Sequence, residues 1–300
     1  VMKILITGGS GILGSALTQK LLKNNIEVVH LTREKNSKND VKNYLWDWSK
    51  NEIDENCLIG VTHIVHLAGA GIAEKAWTNR RKNIIVKSRV LTARLLLSKI
   101  NALDLNLSAF ISASAVGYYG AQISEKTFIE TDKSYEDFMG NCCKQWEKAA
   151  DQYKPIARVA KFRLGVILDK NSGALLKIAR MVKSRIGSPL GSGKQYMPWI
   201  HLEDAVNLFY FAIMNNEIKG TFNAVSQEII TNKELTLKIG KVLNRKIWMP
   251  NVPSFVLKFI YGEMSDTILK GVKVSNEKIK SLNFKFKYEK VDEALKAIYS

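Results

Sequence analysis

Residues Lys3 to Gly14 read KILITGGSGILG, an apolar run that breaks into glycines and continues as a helix. Ile4, Leu5 and Ile6 have the character of a short buried parallel strand ending at Thr7. Behind it Ile12, Leu13, Ala16, Leu17, Leu21 and Leu22 recur at helical spacing. Gly9, Gly11 and Gly14 form GxGxxG, and Gly8, Gly11 and Gly14 form GxxGxxG. The early glycines permit a tight turn and close approach to a pyrophosphate, while Gly14 lets the helix pack on the strand. The helix start at Gly11, Ile12 and Leu13 offers unpaired N–H groups and a positive dipole end to the phosphates. A second strand, Glu27 to Thr32, follows Asn24-Asn25 and completes a βαβ opening unit, the context such a dinucleotide loop requires.

The 300 residues suffice for one large α/β domain with a smaller appendage. The expected architecture is a doubly wound parallel sheet (Rossmann) over 1–165 that also receives about 200–225. A smaller mixed α/β substrate region would take 166–200 and 226–300. No apolar run reaches the length of a membrane span, and a strand starting at Met2 leaves no room for a signal peptide. Cys57, Cys142 and Cys143 are too few and badly spaced for a disulfide framework or a metal site, which fits a reducing cytoplasm.

The net charge of +17 is unevenly placed: residues 1–150 carry 20 Lys+Arg against 15 Asp+Glu, and 151–300 carry 25 against 13. A lysine-rich solvated surface and attraction of an anionic small substrate both account for it. Nucleic acid is not an expected partner, because no binding module or clustered stacking aromatics accompany the charge. No membrane partner is expected, and a monomer or homodimer is.

Further along, Thr32 and Arg33 end the second strand where the adenosine ribose would lie. A basic residue there accommodates a 2′-phosphate, so Arg33, with Lys35 nearby, favours NADP over NAD. Lys42 to Trp46 reads as a short third strand leading to Asp47, which either reaches the adenine or forms a turn. Val61 to Leu67 is a fourth strand, and Leu67, Ala68 and Gly69 at its end let the backbone pass close to the cofactor; His66 reads as a packed strand residue. A long helix, Trp77 to Ile100, crosses to a fifth strand, Ala109 to Ser114, whose serine ends beside the nicotinamide position. Ile156 to Leu168 reads as a sixth strand with Arg163 near its end, a residue for cofactor, substrate or loop.

TGGSGILG, HLAGAGIAEKAW, SRVLTARLL, ISASAVGYYG, FRLGVIL and GSGKQYMPWIHLEDA together resemble an extended or atypical short-chain dehydrogenase/reductase. The resemblance is to the epimerase-family group described as nucleoside-diphosphate-sugar epimerases. It spans essentially the whole chain, including a tail from about Pro250 similar to that group's small C-terminal domain of unassigned function. It implies NAD(P) chemistry and places Ser88 and Arg163 beside the cofactor.

The chain departs from the wider superfamily at its usual catalytic pair, a tyrosine with a lysine four residues later. None of the ten tyrosines has a lysine at i+4. In the corresponding segment, FMGNCCKQWEKAA, the two positions fall near Cys143 and Glu147. The candidate catalytic groups are therefore Ser114, Tyr118, and a Cys143–Glu147 acid/base pair one helical turn apart, with a buried structural cysteine as the alternative. Lys194, Gln195, Trp199 and His201 are the candidate substrate contacts. Met197 and Pro198 stand where sugar-nucleotide enzymes often carry a diphosphate-binding arginine. Two functions follow: an NADP-dependent oxidoreductase or epimerase acting on a small, anionic carbonyl or hydroxyl compound, or a dinucleotide-binding sensor with little turnover.

Overall fold

Alternation of side chains along the first strand dictates the architecture. In the computed structural model, which describes residues 2–34 and 41–300, β1 (Lys3–Thr7) sends Ile4 and Ile6 into one core and Leu5 into another. β2 (Glu27–Thr32), β5 (His63–His66) and β6 (Ala109–Ala115) do the same with Val28 against Val29, Val65 against Ile64, and Ile111 against Phe110. A strand with both faces apolar must be covered on both sides, which is the condition for a doubly wound sheet.

The sheet has eight strands in the order β11-β8-β6-β5-β1-β2-β3-β4. Here β3 is Lys42–Asp47, β4 Glu52–Ile53, β8 Arg158–Leu164 and β11 Gly220–Ala224. All neighbours are parallel except the short β4, which runs antiparallel to β3. Helices α1 (Ile12–Lys23) and α5 (Leu202–Met214) bury one face, and α2 (Asn79–Ala102) and α3 (Phe138–Asp151) the other. The strand order reverses between β1 and β5, and ligand crevices open at such a switch point, beyond the carboxyl ends of the strands.

The expected sixth strand is broken. β8 ends at Leu164, and the next residue is a glycine whose Cβ would lie 2.7 Å from the Pro198 carbonyl oxygen, so the chain can pass close to that segment. The chain then leaves the main sheet, and β9 (Val166–Leu168) pairs with β10 (Trp199–His201). Around this pair α4 (Gly173–Lys183), α6 (Asn232–Val242) and α10 (Val291–Tyr299) form a separate core. Thr231 and Glu234 close a capping box on α6. A further parallel pair joins β7 (Ile123–Phe128) to β12 (Gly271–Val274), and three short helices, α7 (Ser254–Tyr261), α8 (Asp266–Leu269) and α9 (Glu277–Lys280), complete the C-terminal region. The alternating stretch FKFKY, Phe284 to Tyr288, lies outside the sheets: Phe284 and Phe286 are buried, and Phe284 packs on Phe211 of α5.

Asp204 does more than open α5. Fully buried, it accepts from the Lys287 and Tyr288 amides at 2.7 and 3.0 Å, tying the C-terminal segment to the sheet domain. No helix among the described residues is long and apolar enough to cross a membrane.

Candidate functional site

The glycine loop is a cradle that side chains would fill. Gly8 sits at φ +72°, where a Cβ would meet the Leu67 carbonyl at 2.9 Å. At Gly9 it would be 2.6 Å from the His30 ring, and at Gly14 2.4 Å from the Gly8 oxygen. Gly11 donates its amide to Gly8 O at 3.0 Å and is the N-cap of α1, with no side-chain cap and no acid in the first turn. The N–H groups around Ile12 and Leu13 are left for a ligand, and the dipole favours an anion. These features fit a dinucleotide pyrophosphate.

Thr7 locks this loop to the neighbouring strand end. Its buried hydroxyl accepts from the Leu67 and Ala68 amides at 3.2 and 3.1 Å and contacts His66 Nδ1 at 2.9 Å. His66 Nε2 lies 3.2 Å from the Arg89 carbonyl, which assigns the proton to Nε2 and the acceptor role to Nδ1. Burial pushes the His66 pKa down to about 4, so the ring is neutral. His66 is thus a packed strand residue that, through Thr7, holds the Leu67–Ala68 backbone.

The 67–71 wall is fixed from α2. Ser88 Oγ accepts the Ala70 amide at 2.9 Å, and Arg89 Nη1 donates to Ala70 O and Ile85 O at 3.1 and 2.9 Å. The Arg89 guanidinium fills the space a Gly69 side chain would occupy. Arg89 was not anticipated from sequence, and its identity within a basic helix carried no signal of burial.

At the carboxyl end of β2 Thr32 is half-buried and bonds to Glu34 O at 3.1 Å, and Arg33 is exposed just beyond it. Lys35 lies outside the described residues. Asp47 accepts from the Ser49 amide at 2.9 Å and from its hydroxyl at 2.5 Å, and those bonds hold its carboxyl below the usual range. It forms a turn, one of the two readings its sequence left open.

At the carboxyl end of β6, Ser114, Glu147 and Arg163 come together. Ser114 Oγ donates to Glu147 Oε1 at 2.8 Å, while Arg163 Nε and Nη2 grip the two carboxylate oxygens at 2.7 and 2.9 Å. All three are at least nine-tenths buried. Burial disfavours the Arg163 charge, but the bidentate hydrogen bonds and charge of Glu147 outweigh it and raise the guanidinium pKa. Arg163 Nη1 also donates to Tyr119 Oη at 2.9 Å and to the Glu130 carbonyl at 3.2 Å. Its side chain is thus committed to this cluster. Tyr119 is fully buried, its hydroxyl 2.7 Å from Asn223 Oδ1, and desolvation pushes its pKa up to about 12 despite the opposing Arg163 charge. Tyr118 is half-buried, and its ring lies 3.4 Å from the Arg163 Cζ.

Cys143 forms no hydrogen bond with Glu147 among the described residues, so the expected acid/base pairing takes another form. The thiol is 1% exposed, and desolvation, helped by the charge of Glu147, raises its pKa far above the ordinary value. Cys143 is a protonated packing group, and the carboxylate it was expected to work with is spent on Ser114 and Arg163.

The substrate-loop candidates separate. Gln195 is buried and donates Nε2 to Leu190 O and Ile268 O, both at 3.0 Å; Trp199 is fully buried and donates to Glu228 O at 3.0 Å. Both side chains tie the loop to later segments of the chain, at Ile268 and Glu228. His201 caps α5, accepting from the Glu203 amide at 3.1 Å, and its ring centroid lies 4.0 Å from that of Tyr288. Lys194 is exposed. Among the described residues no group of three His, Cys, Asp or Glu could hold a metal.

Comparison with known proteins agrees with this geometry. Residues 4–144 match the NAD dependent epimerase/dehydratase family, and 252–298 match a domain of unknown function (DUF1731). The chain is 35% identical to the epimerase family protein SDR39U1 homolog, chloroplastic, of Arabidopsis thaliana, over 99% of this chain and 86% of that protein. It is 32% identical to an epimerase family protein of Staphylococcus aureus, covering 97% of both. The crystal structure of human epimerase family protein SDR39U1 (isoform 2) with NADPH aligns with a TM-score of 0.88 at 27% identity over 99% of both chains. A UDP-glucuronic acid 4-epimerase from Bacillus cereus, in complex with UDP-glucuronic acid and NAD, shares the fold at a TM-score of 0.80 and 18% identity over 99% of this chain and 98% of that one. With a Rossmann sheet, a glycine-loop cradle and relatives of this identity matched over nearly the whole chain, the protein belongs to the epimerase family of extended short-chain dehydrogenases/reductases.

Proposed function

We infer that the protein is an NADP-dependent oxidoreductase or epimerase acting in the cytoplasm on a small, anionic compound with a carbonyl or hydroxyl carbon, of which a nucleotide sugar is one case. The observation that carries this reading is the Ser114–Glu147–Arg163 cluster with Tyr118 stacked on it, at the strand end that borders the crevice. The glycine cradle and the helix start hold the pyrophosphate. Arg33 faces the 2′-phosphate, consistent with the NADPH present in the human relative.

A bound nicotinamide supplies or accepts the hydride. Glu147 accepts a hydrogen bond from the Ser114 hydroxyl, which orients the serine lone pairs away from the carboxylate and toward an incoming hydroxyl. Arg163 neutralises Glu147 and supports the Tyr118 ring, and Tyr118, half-exposed where Tyr119 and Cys143 are buried, is the group able to exchange a proton with a substrate oxygen. Lys177 of α4, whose Nζ reaches the Ala73 carbonyl at 3.3 Å, places a cation beside the crevice loop for an anionic substrate.

Burial of Cys143 and full engagement of Glu147 favour the competing reading, a dinucleotide-binding sensor. Titration with NADPH and NADH, followed by stopped-flow nicotinamide absorbance over a panel of carbonyl compounds and sugar nucleotides, separates the two. An enzyme transfers hydride to at least one panel member, and Tyr118→Phe lowers kcat without changing NADPH affinity. Tight NADPH binding with no absorbance change anywhere in the panel leaves the sensor. Arg33→Asp is expected to weaken NADPH more than NADH; equal losses would remove the NADP assignment.

A further inference from the structure

Two segments account for much of the positive charge. Between Asp169 and Glu203, and again between Glu234 and Glu263, the sequence holds six and five cationic residues and no carboxylate. The fold lays these segments side by side. Leu190 bridges Val252 in parallel, Gly191 donates to Val252 O at 2.8 Å, Val252 donates to Pro189 O at 2.9 Å, and Trp248 Nε1 donates to Arg185 O at 3.1 Å.

The same ribbon carries unusual apolar exposure. Trp248 stands at one end, 65% exposed beside Ile186; at the other end α7 presents Phe255, Phe259 and Ile260 at 72, 92 and 59%. Of the α7 side chains only Leu257 is buried. Arg185, Arg245, Lys246 and Lys258 are exposed among these groups. Scattered surface leucines are normal, whereas aromatic and aliphatic side chains gathered on one ribbon mark an interaction surface.

We propose that this ribbon and α7 form a docking surface for an anionic lipid bilayer. Protruding Trp and Phe side chains enter the headgroup region while Arg and Lys beside them meet lipid phosphates, the arrangement of interfacial rather than spanning segments. A second copy docked face to face would set cation against cation. Nucleic acid would leave Ile260 and the rim of Phe259 without a matching surface. The proposal is independent of the catalytic reading, since none of these residues belongs to the cluster around Glu147 or to the glycine cradle.

The test is flotation of the full chain with vesicles of neutral phosphatidylcholine and with vesicles containing about 30 mol% phosphatidylglycerol, a strongly anionic surface. Binding is expected to the anionic vesicles only, and to weaken as salt rises. Arg185→Glu with Lys258→Glu should weaken it by about thirtyfold or more, from about 1 kcal/mol lost per cation at the surface. Phe255→Ala with Phe259→Ala should weaken it at constant charge, with NADPH binding intact as evidence of folding. Lys144→Glu, exposed on α3, should have little effect. Equal binding to neutral vesicles, equal loss with Lys144→Glu, or Phe variants that leave vesicle binding unchanged while dissolving a dimer would each overturn the proposal.

Discussion

Glu147→Ala strips two charge-assisted hydrogen bonds, at 2.7 and 2.9 Å, from a guanidinium that is 3% exposed. Arg163 keeps the Tyr119 hydroxyl, the Glu130 carbonyl and the Tyr118 ring face, none of which carries a compensating negative charge. Breaking a buried pair in this way costs about 3–5 kcal/mol, a large share of the roughly 5–15 kcal/mol of a typical domain. Arg163→Met exposes the complementary fault, a buried carboxylate left with the Ser114 hydroxyl alone, and should cost a similar amount. Removing both charges together, Glu147→Leu with Arg163→Met, should cost far less than the two singles combined, because desolvation of both ions is recovered. Reversible urea unfolding at pH 7, followed by tryptophan fluorescence, gives the three values. Single losses under about 1 kcal/mol, or a double loss equal to their sum, would refute the reading of this pair as a closed, mutually dependent unit.

Acidification should destabilise the protein through its neutral buried histidines. His66 and His63 have pKa values pushed down to about 4, chiefly by burial, against 6.5 for the free ring. The unfolded chain therefore binds protons first, and stability present above pH 6.5 should fall as pH drops toward 4, by up to about 1.4 kcal/mol per pH unit for each histidine; unfolding midpoints that stay flat over this window would contradict it. Asp204→Asn presents an amide N–H₂ where two backbone N–H groups converge, and should cost about 1–3 kcal/mol and speed hydrogen exchange in 284–300 first; uniform exchange changes would count against the tether. Gly14→Ala must move the Gly8 carbonyl, 2.4 Å from the new Cβ, whereas Gly11→Ala meets only that oxygen at 3.3 Å. Alanine at 14 should thus destabilise by about 1–3 kcal/mol and weaken NADPH, while alanine at 11, with a looser contact and only the N-cap preference for glycine to lose, should cost less; the reverse order would be evidence against the cradle.

The glycine loop was readable because its determinants are local. Strand, turn and helix lie within Lys3–Lys23, and a continuous apolar run gives way to a period of about 3.6 across the glycines. The β7–β12 pair was not readable: ISEKTF is largely exposed and shows no strand alternation, and its partner at Gly271–Val274 lies far along the chain. Gln195 and Trp199 were chosen as substrate contacts for their chemistry, but folding of the 185–200 loop turned both inward, to Leu190 and Ile268 carbonyls and to Glu228. Glu147 and Arg163 were each visible as unusual residues, and only the packing of α3 on β8 shows that they answer one another. The charge excess, similarly, is visible in composition, but the meeting of the two cation-bearing segments depends on the Leu190–Val252 pairing.

That mutual answer explains why the missing tyrosine and lysine are one change and not two. A lysine at residue 147 would point its ammonium at the Arg163 guanidinium at hydrogen-bond distance, and two buried like charges so close cannot both persist. With arginine at the end of β8, an acid at 147 is the residue that closes the cluster, and the cation of the usual pair is in effect moved from the helix to the strand. It now lies under the Tyr118 ring rather than beside residue 143. A tyrosine at 143 would gain nothing from this arrangement, because the position is sealed against Gly117 and the Ala115 backbone. On the proposed reading, proton exchange with a ligand oxygen falls to Tyr118, half-buried where Ser114, Tyr119 and Cys143 are buried, with Glu147 and Arg163 acting behind it.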